Sequence, residues 1–207
     1  NYNIYKSFGG FNRGGIGTNA RYSRLYNPDK FNDFGTEVYL WAETKSFWNL
    51  NAWANFEPFI TYDYFEPRTP GRYYRFPTNN GVGFWVGSDD RKRIRISLNG
   101  NYRNFAETGR HNLNWSIGPR FRVSDKFNLR LSMINSFQQG NVGYVNKVTA
   151  EGGDAEMIIF GRRNVTTVEN VLSSGYTFNE NMALTLRIRH YWTRVHYLSF
   201  HELLDDG

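Results

Sequence analysis

Near its C-terminal end the chain places Arg187, Arg189, His190, Tyr191 and Trp192 within six residues. On an extended backbone, positions i, i+2 and i+4 leave the strand on one side, so Arg187, Arg189 and Tyr191 form a single polar cluster. Two guanidinium forks beside a phenol can hold an anion or a sugar through bidentate hydrogen bonds and stacking. The same groups can instead brace a wall by pairing with carboxylates, for which Glu57 and Glu169 are the expected partners. Arg93 with Arg95, and Arg120 with Arg122, repeat the i, i+2 spacing. All seven residues are ligand candidates in a chain with 25 Lys and Arg against 19 Asp and Glu, a formal charge of +6.

Other reactive groupings are weaker. His196, His201 and Glu202 invite a metal reading, but histidines five apart do not share a strand face. The acidic segment EGGDAE at 151–156 lacks the alternating oxygen ligands of an EF-hand. No metal and no cofactor are therefore expected. Ser199 and His201 stand i, i+2 and could form a barrel hydrolase site, yet no third group orients the pair, and the expectation is a protein that is not an enzyme. Basic residues interleaved with aromatics can bind nucleic acid, but no RNP, KH or zinc-finger pattern accompanies them, so nucleic acid is not an expected partner. Gly9, Gly10, Gly14, Gly15 and Gly17 read as a turn with a bend or bulge beside a strand, not a phosphate loop.

The elements that must carry the arginines alternate apolar and polar residues. In 111–133, Leu113, Trp115, Ile117, Phe121 and Val123 point one way, while Asn112, Asn114, Ser116, Arg120 and Arg122 point the other. The apolar set continues through Leu129 and Leu131, and in 173–189 through Leu184, Leu186 and Ile188. These ten are expected to face lipid. Aromatic residues make up 18% of the chain (14 Tyr, 17 Phe, 6 Trp), which suits two interfacial belts better than one core. No stretch approaches the roughly 18 consecutive apolar residues of a spanning helix. The mean hydropathy of −0.63 does not argue against a membrane barrel, because half of each strand faces a wet interior. Cysteine is absent, so no disulfide or thiol chemistry is available.

Short turns fall at 44–46, 88–90, 124–126 and 179–181, and longer connections at 63–72, 104–110 and 139–164. The alternation is that of an antiparallel transmembrane β-barrel, with short turns toward the periplasm and long loops outside. Strands are expected over 13–26, 35–43, 47–62, 74–87, 91–103, 112–123, 127–137, 166–178 and 182–197, with 2–7 a remnant of another. Residues 140–149 would form a rim ribbon or an inward loop. Pro58 and Pro119 fall inside strand candidates and should mark bulges or the end of pairing. Nine or ten strands, a start at Asn1 and a stop at LLDDG lead to the expectation of an incomplete segment of a larger barrel, with a closed ten-strand barrel as the alternative. The whole of 1–207 is expected to be one such segment, with no second domain.

The segment 160–207 carries a Thr-x-x-Asn run at 167–170, Tyr-x-Phe at 176–178, Leu-x-Leu-Arg-x-Arg-His-Tyr-Trp at 184–192 and a closing 200–207. It resembles the C-terminal barrel region of a Bacteroidota family of outer-membrane proteins of uncharacterised function, in which a domain like carbohydrate-binding module family 9 precedes the barrel. The resemblance is clearest over about the last 50 residues. It implies an outer-membrane location and a link to saccharides. Two functions are expected from it and from the pattern together: a channel or transport component for a polar solute such as a saccharide, or a plugged barrel serving as a scaffold or subunit of a surface complex. Outer-membrane lipid is the expected partner in both, joined by other outer-membrane or surface proteins in the second.

Overall fold

The computed structural model describes residues 1–27, 29–149 and 156–207. Strands occupy β1 (Tyr2–Ile4), β2 (Phe11–Leu25), β3 (Lys30–Thr44), β4 (Asn49–Glu57), β5 (Thr61–Asp63), β6 (Tyr74–Phe76), β7 (Asn79–Gly87), β8 (Ile94–Arg95), β9 (Ser97–Phe105), β10 (His111–Ile117), β11 (Arg120–Arg122), β12 (Phe127–Thr149), β13 (Glu156–Asn179) and β14 (Met182–Glu202). There is no helix among the described residues. β8 runs on into β9 and β10 into β11, so one antiparallel meander links β1, β2, β3, β4, β7, β8–β9, β10–β11, β12, β13 and β14 in chain order. Among the described residues β1 and β14 each pair on one side only, and the sheet does not close.

Local chemistry accounts for the turns. Thr44 Oγ1 accepts from Trp48 N–H at 3.0 Å, Ser124 Oγ from Phe127 N–H at 3.0 Å, and Asn179 Oδ1 from Asn181 N–H at 3.0 Å. Small polar side chains replace strand partners where the chain reverses. Both prolines end regular pairing, as expected: β4 stops at Glu57, and Pro119 separates β10 from β11 while its carbonyl still accepts from Leu131 N–H at 2.9 Å. Arg93 lies outside a strand, because Asp89 holds the turn before it. Asp89 Oδ1 accepts from Arg91 N–H at 3.0 Å and from Arg91 Nε at 2.9 Å, and β8 begins only at Ile94.

The largest departure from the expected strands is in the last third. β12 does not end at 137 but continues to Thr149, and β13 begins at Glu156. Gly140, at φ +60, introduces a bulge between Gln138 and Asn141, and its N–H donates to Asn164 Oδ1 at 2.9 Å. A bulge re-aims a strand without stopping it, so residues 140–149 form a ribbon.

Large apolar residues are buried in few places: Phe105, Ile158, Phe160, Val171 and Leu203. Four of these gather at the long-connection end of the sheet, where β5 and β6 form a hairpin that lies across it. Tyr62 packs edge-on against Phe31 of β3 at 6.3 Å, while Tyr74 stacks on Phe160 of β13 at 5.2 Å and the Arg68 guanidinium sits 4.5 Å over Tyr144 of β12. One short insertion can touch strands so far apart in the meander only if the sheet curves around it. In contrast, the apolar side chains along the strands stay uncovered: Leu184 is 61% exposed, Val82 57% and Leu40 52%.

Candidate functional site

Register is what assembles the polar face. Starting from β2, one row runs Gly15, Trp41, Asn51, Trp85, Asn99, Ser116, Ile134, Glu169, Tyr191, each residue paired with the next across nine strands. The neighbouring row runs Gly17, Tyr39, Trp53, Gly83, Asn101, Asn114, Ser136, Thr167, Thr193. Between these rows lie the apolar residues of the opposite face, such as Ile16, Leu40, Ala52, Phe84, Trp115 and Trp192. Because side chains alternate with period 2, a slip of one residue anywhere would mix the two faces. No such slip occurs from Ile16 to Trp192 along these rows.

The N-terminal part of this face carries aromatics seated on glycines. A Cβ at Gly15 would meet Trp41 Nε1 at 2.5 Å, one at Gly17 would overlap the Tyr39 ring, and one at Gly83 would overlap the Trp53 indole, with Nε1 at 2.7 Å. Close approach is the reason for glycine here: the ring covers bare backbone and presents its other side outward. Asn51, Asn55, Asn99 and Asn101 surround these rings, and Glu57 sits between Arg21 (3.8 Å) and Arg103 (3.6 Å). Sequence reading missed this group. The signal was present, as glycines and aromatics share the polar parity in 13–17, 39–41 and 83–85.

The C-terminal part of the face carries the arginines. Arg120 is directly opposite both Arg95 and Arg130, Arg130 is opposite Ser173, and Ser173 is opposite Arg187. Arg122 stands opposite Asn128. Arg95 and Arg120 lean toward Asp90, at 2.5 Å and 3.6 Å, and Arg120 also donates to the Asp90 carbonyl at 3.1 Å. One row up, Arg189 donates to both oxygens of Glu169 at 2.8 and 2.9 Å and lies 5.2 Å over Tyr191, whose hydroxyl accepts from Thr193 at 3.1 Å. The structure therefore divides the expected cluster: Arg189 takes the bracing role with Glu169, whereas Arg187 has no ion pair among the described residues. Glu57 braces Arg21 and Arg103 instead.

Of the ten residues expected to face lipid, nine share the apolar face by register. Leu113, Trp115 and Ile117 face Phe137, Asn135 and Met133; Phe121 faces Leu129; Leu129 and Leu131 connect through Ser174 and Leu172 to Leu186 and Ile188; and Leu184 faces Tyr176. Val123 follows one residue beyond β11 and is 56% exposed.

At the other end, Arg110 is buried under the hairpin. It donates to Tyr74 Oη at 2.8 Å and to Glu107 Oε2 at 2.9 Å, and its guanidinium lies 4.6 Å from the Phe76 ring and 4.7 Å from that of Phe105. Glu107 is shared with Arg162, at 2.7 Å. Burial pushes the Tyr74 hydroxyl up from its usual range, so it stays protonated.

The weaker groupings resolve simply. His196 lies opposite Asn164 and His201 opposite Phe160, and no three metal-ligating side chains converge among the described residues. The expected acidic segment lies, apart from Glu156, outside the described residues; Glu156 reaches Lys147 at 3.4 Å. Ser199 Oγ and His201 Nε2 are 2.8 Å apart, and no carboxylate hydrogen-bonds to that imidazole among the described residues. Gly9 and Gly10 form the expected turn, and Gly14, Gly15 and Gly17 lie within β2 beside a register shift at Phe11 and Arg13.

A family model described as a domain of unknown function (DUF5916) matches residues 1–207. No curated protein and no solved structure matches the chain.

Proposed function

The chain belongs to this family of domains of unknown function (DUF5916), and from its geometry we propose that it is the wall of an outer-membrane β-barrel whose polar face lines a path for a polar solute, a saccharide above all. The observation that carries this reading is the two-faced register, kept without a slip across nine strands: asparagines, arginines and glycine-seated aromatics dominate one side, broken by Ile134 and Val171, and an uncovered apolar surface forms the other. Exposed apolar area on this scale needs a cover, and lipid covers a whole sheet face at once. From Phe127 to Phe137 the apolar stripe of β12 spans ten steps of about 3.4 Å; tilted by about 40°, it is about 26 Å tall, close to the hydrocarbon band of such barrels. An unpaired edge is costly in lipid, so β1 and β14 would gain partners in the closed wall.

The saccharide preference rests on Trp41, Tyr39, Trp53 and Trp85. Aromatic faces pack against the C–H faces of sugar rings, while the asparagine amides around them can donate to and accept from hydroxyls and the Glu57 carboxylate can accept from them. The resemblance of 160–207 to Bacteroidota outer-membrane proteins with a carbohydrate-module-like domain supports the same solute class. The β5–β6 hairpin favours a second reading, a filled barrel that serves as a scaffold for surface partners. Single-channel recording of the full-length protein in planar bilayers separates them. Open currents that a neutral oligosaccharide such as maltohexaose interrupts are expected; a silent bilayer with co-purifying outer-membrane proteins would favour the scaffold.

A further inference from the structure

We propose that the short-turn end of the polar face is an oxyanion site, formed by Arg95, Arg120, Arg130 and Arg187, that selects saccharides bearing carboxylate or sulfate groups. It rests on the reading of this face as a solute path and names the solute's charge. Like charges placed directly opposite on neighbouring strands repel, yet Arg95, Arg120 and Arg130 stand in one such row, with Arg187 next after Ser173. A wall built only for bracing would supply a carboxylate to each, as Glu169 serves Arg189. Among the described residues Asp90 alone serves two of them, and Arg95 Nε, though 2.5 Å from Asp90 Oδ1, is buried without a hydrogen bond. Among the described residues Arg130 and Arg187 pair with no acid, and both are exposed.

The imbalance is regional. Residues 1–90 hold nine cationic and nine acidic side chains, so the whole +6 lies in 91–207. Neighbouring strands are about 4.8 Å apart, a spacing at which one oxyanion can accept from guanidinium forks on two strands. Rings of arginine are how pores select anions. Distance ties this site to the aromatic rings. Trp85 pairs with Asn99, four residues from Arg95 on the same side, which places the arginine row about 13 Å along the strands. An oligosaccharide of that length can rest a ring on Trp85 or Trp41 while a charged group reaches Arg120 and Arg130.

The test uses the full-length protein with three probes: oligogalacturonate, a sulfated oligosaccharide of matching charge, and neutral maltohexaose. Detergent-solubilised protein, followed by tryptophan fluorescence, is expected to bind at least one charged probe ten or more times more tightly than the neutral one, with affinity falling as salt rises. Arg120→Gln, Arg130→Gln and Arg187→Gln together should abolish the difference, and the Lys versions of all three should restore most of it. In bilayers under a KCl gradient the wild type should be anion-selective and the Gln variant much less so. Equal binding of charged and neutral probes, or selectivity the Gln variant leaves unchanged, would overturn the proposal while leaving the solute path standing. A silent bilayer would count against the path instead, and the binding comparison would still decide the site.

Discussion

The two ends of the polar face handle charge in opposite ways. At the long-connection end Arg110 is buried, and every feature around it offsets the loss of water: Glu107, the Tyr74 hydroxyl and two aromatic faces. At the short-turn end half-buried Arg120 faces exposed Arg130, with a single aspartate nearby among the described residues. The first arrangement is what a chain does to hold a hairpin in place. The second lowers stability slightly and leaves forks available, which is what a binding surface requires. The same residue type thus has two roles, set by desolvation and by the supply of carboxylates.

The sharpest way to break this contrast is to remove both charges separately. Arg110→Ala should destabilise by about 3 kcal/mol, because a buried pair loses one member while Glu107 keeps Arg162. Thermal unfolding, with faster proteolysis at 64–73, would measure it, and a change below about 1 kcal/mol would mean the hairpin is not anchored there. Gly83→Val should cost about 1–3 kcal/mol by displacing the Trp53 ring, and should weaken binding of maltohexaose. Unchanged neutral-sugar binding would remove Trp53 from the solute path.

A smaller effect is expected at the turn. The Arg91 side chain and backbone hold the Asp89 carboxyl down at about 2. A depressed folded value contributes stability that is fully present above the unfolded value of about 3.9 and is lost as pH falls toward 2. Asp89→Asn should therefore flatten the acid limb of the stability curve between about pH 4 and pH 2; an unaltered limb would show that Arg91 matters little. Smallest of all, Arg130→Gln should change stability by no more than about 0.5 kcal/mol, and in the stabilising direction, since it relieves a like-charge contact. A loss of 2 kcal/mol would make Arg130 a brace like Arg110 and erase the difference between the two ends.

Much of the fold was legible because strands report themselves locally. The alternation in 111–133 and 173–189 set the faces of β10 to β14, and Ser124, Thr44 and Asn179 marked the reversals. The ribbon of 140–149 and 156–163 was harder to read, since a glycine bulge interrupts the alternation without interrupting the strand. For the site, the seven candidates were found on side-chain parity alone, which could not tell Arg187 from Arg189. Only the position of Glu169, two residues from the Arg189 partner on β13, makes that distinction.

By itself, the sequence determined an all-β antiparallel meander with one polar and one apolar side, because side-chain direction along a strand and the chemistry of short turns are settled within a few residues. The tertiary structure decided which residues meet: Trp53 over Gly83, Arg120 against Arg130, and Tyr74 on Phe160 across the curve of the sheet. Those encounters depend on pairing register and on an insertion folding back over many strands. Both are set by packing between segments far apart in the chain, which no local pattern encodes.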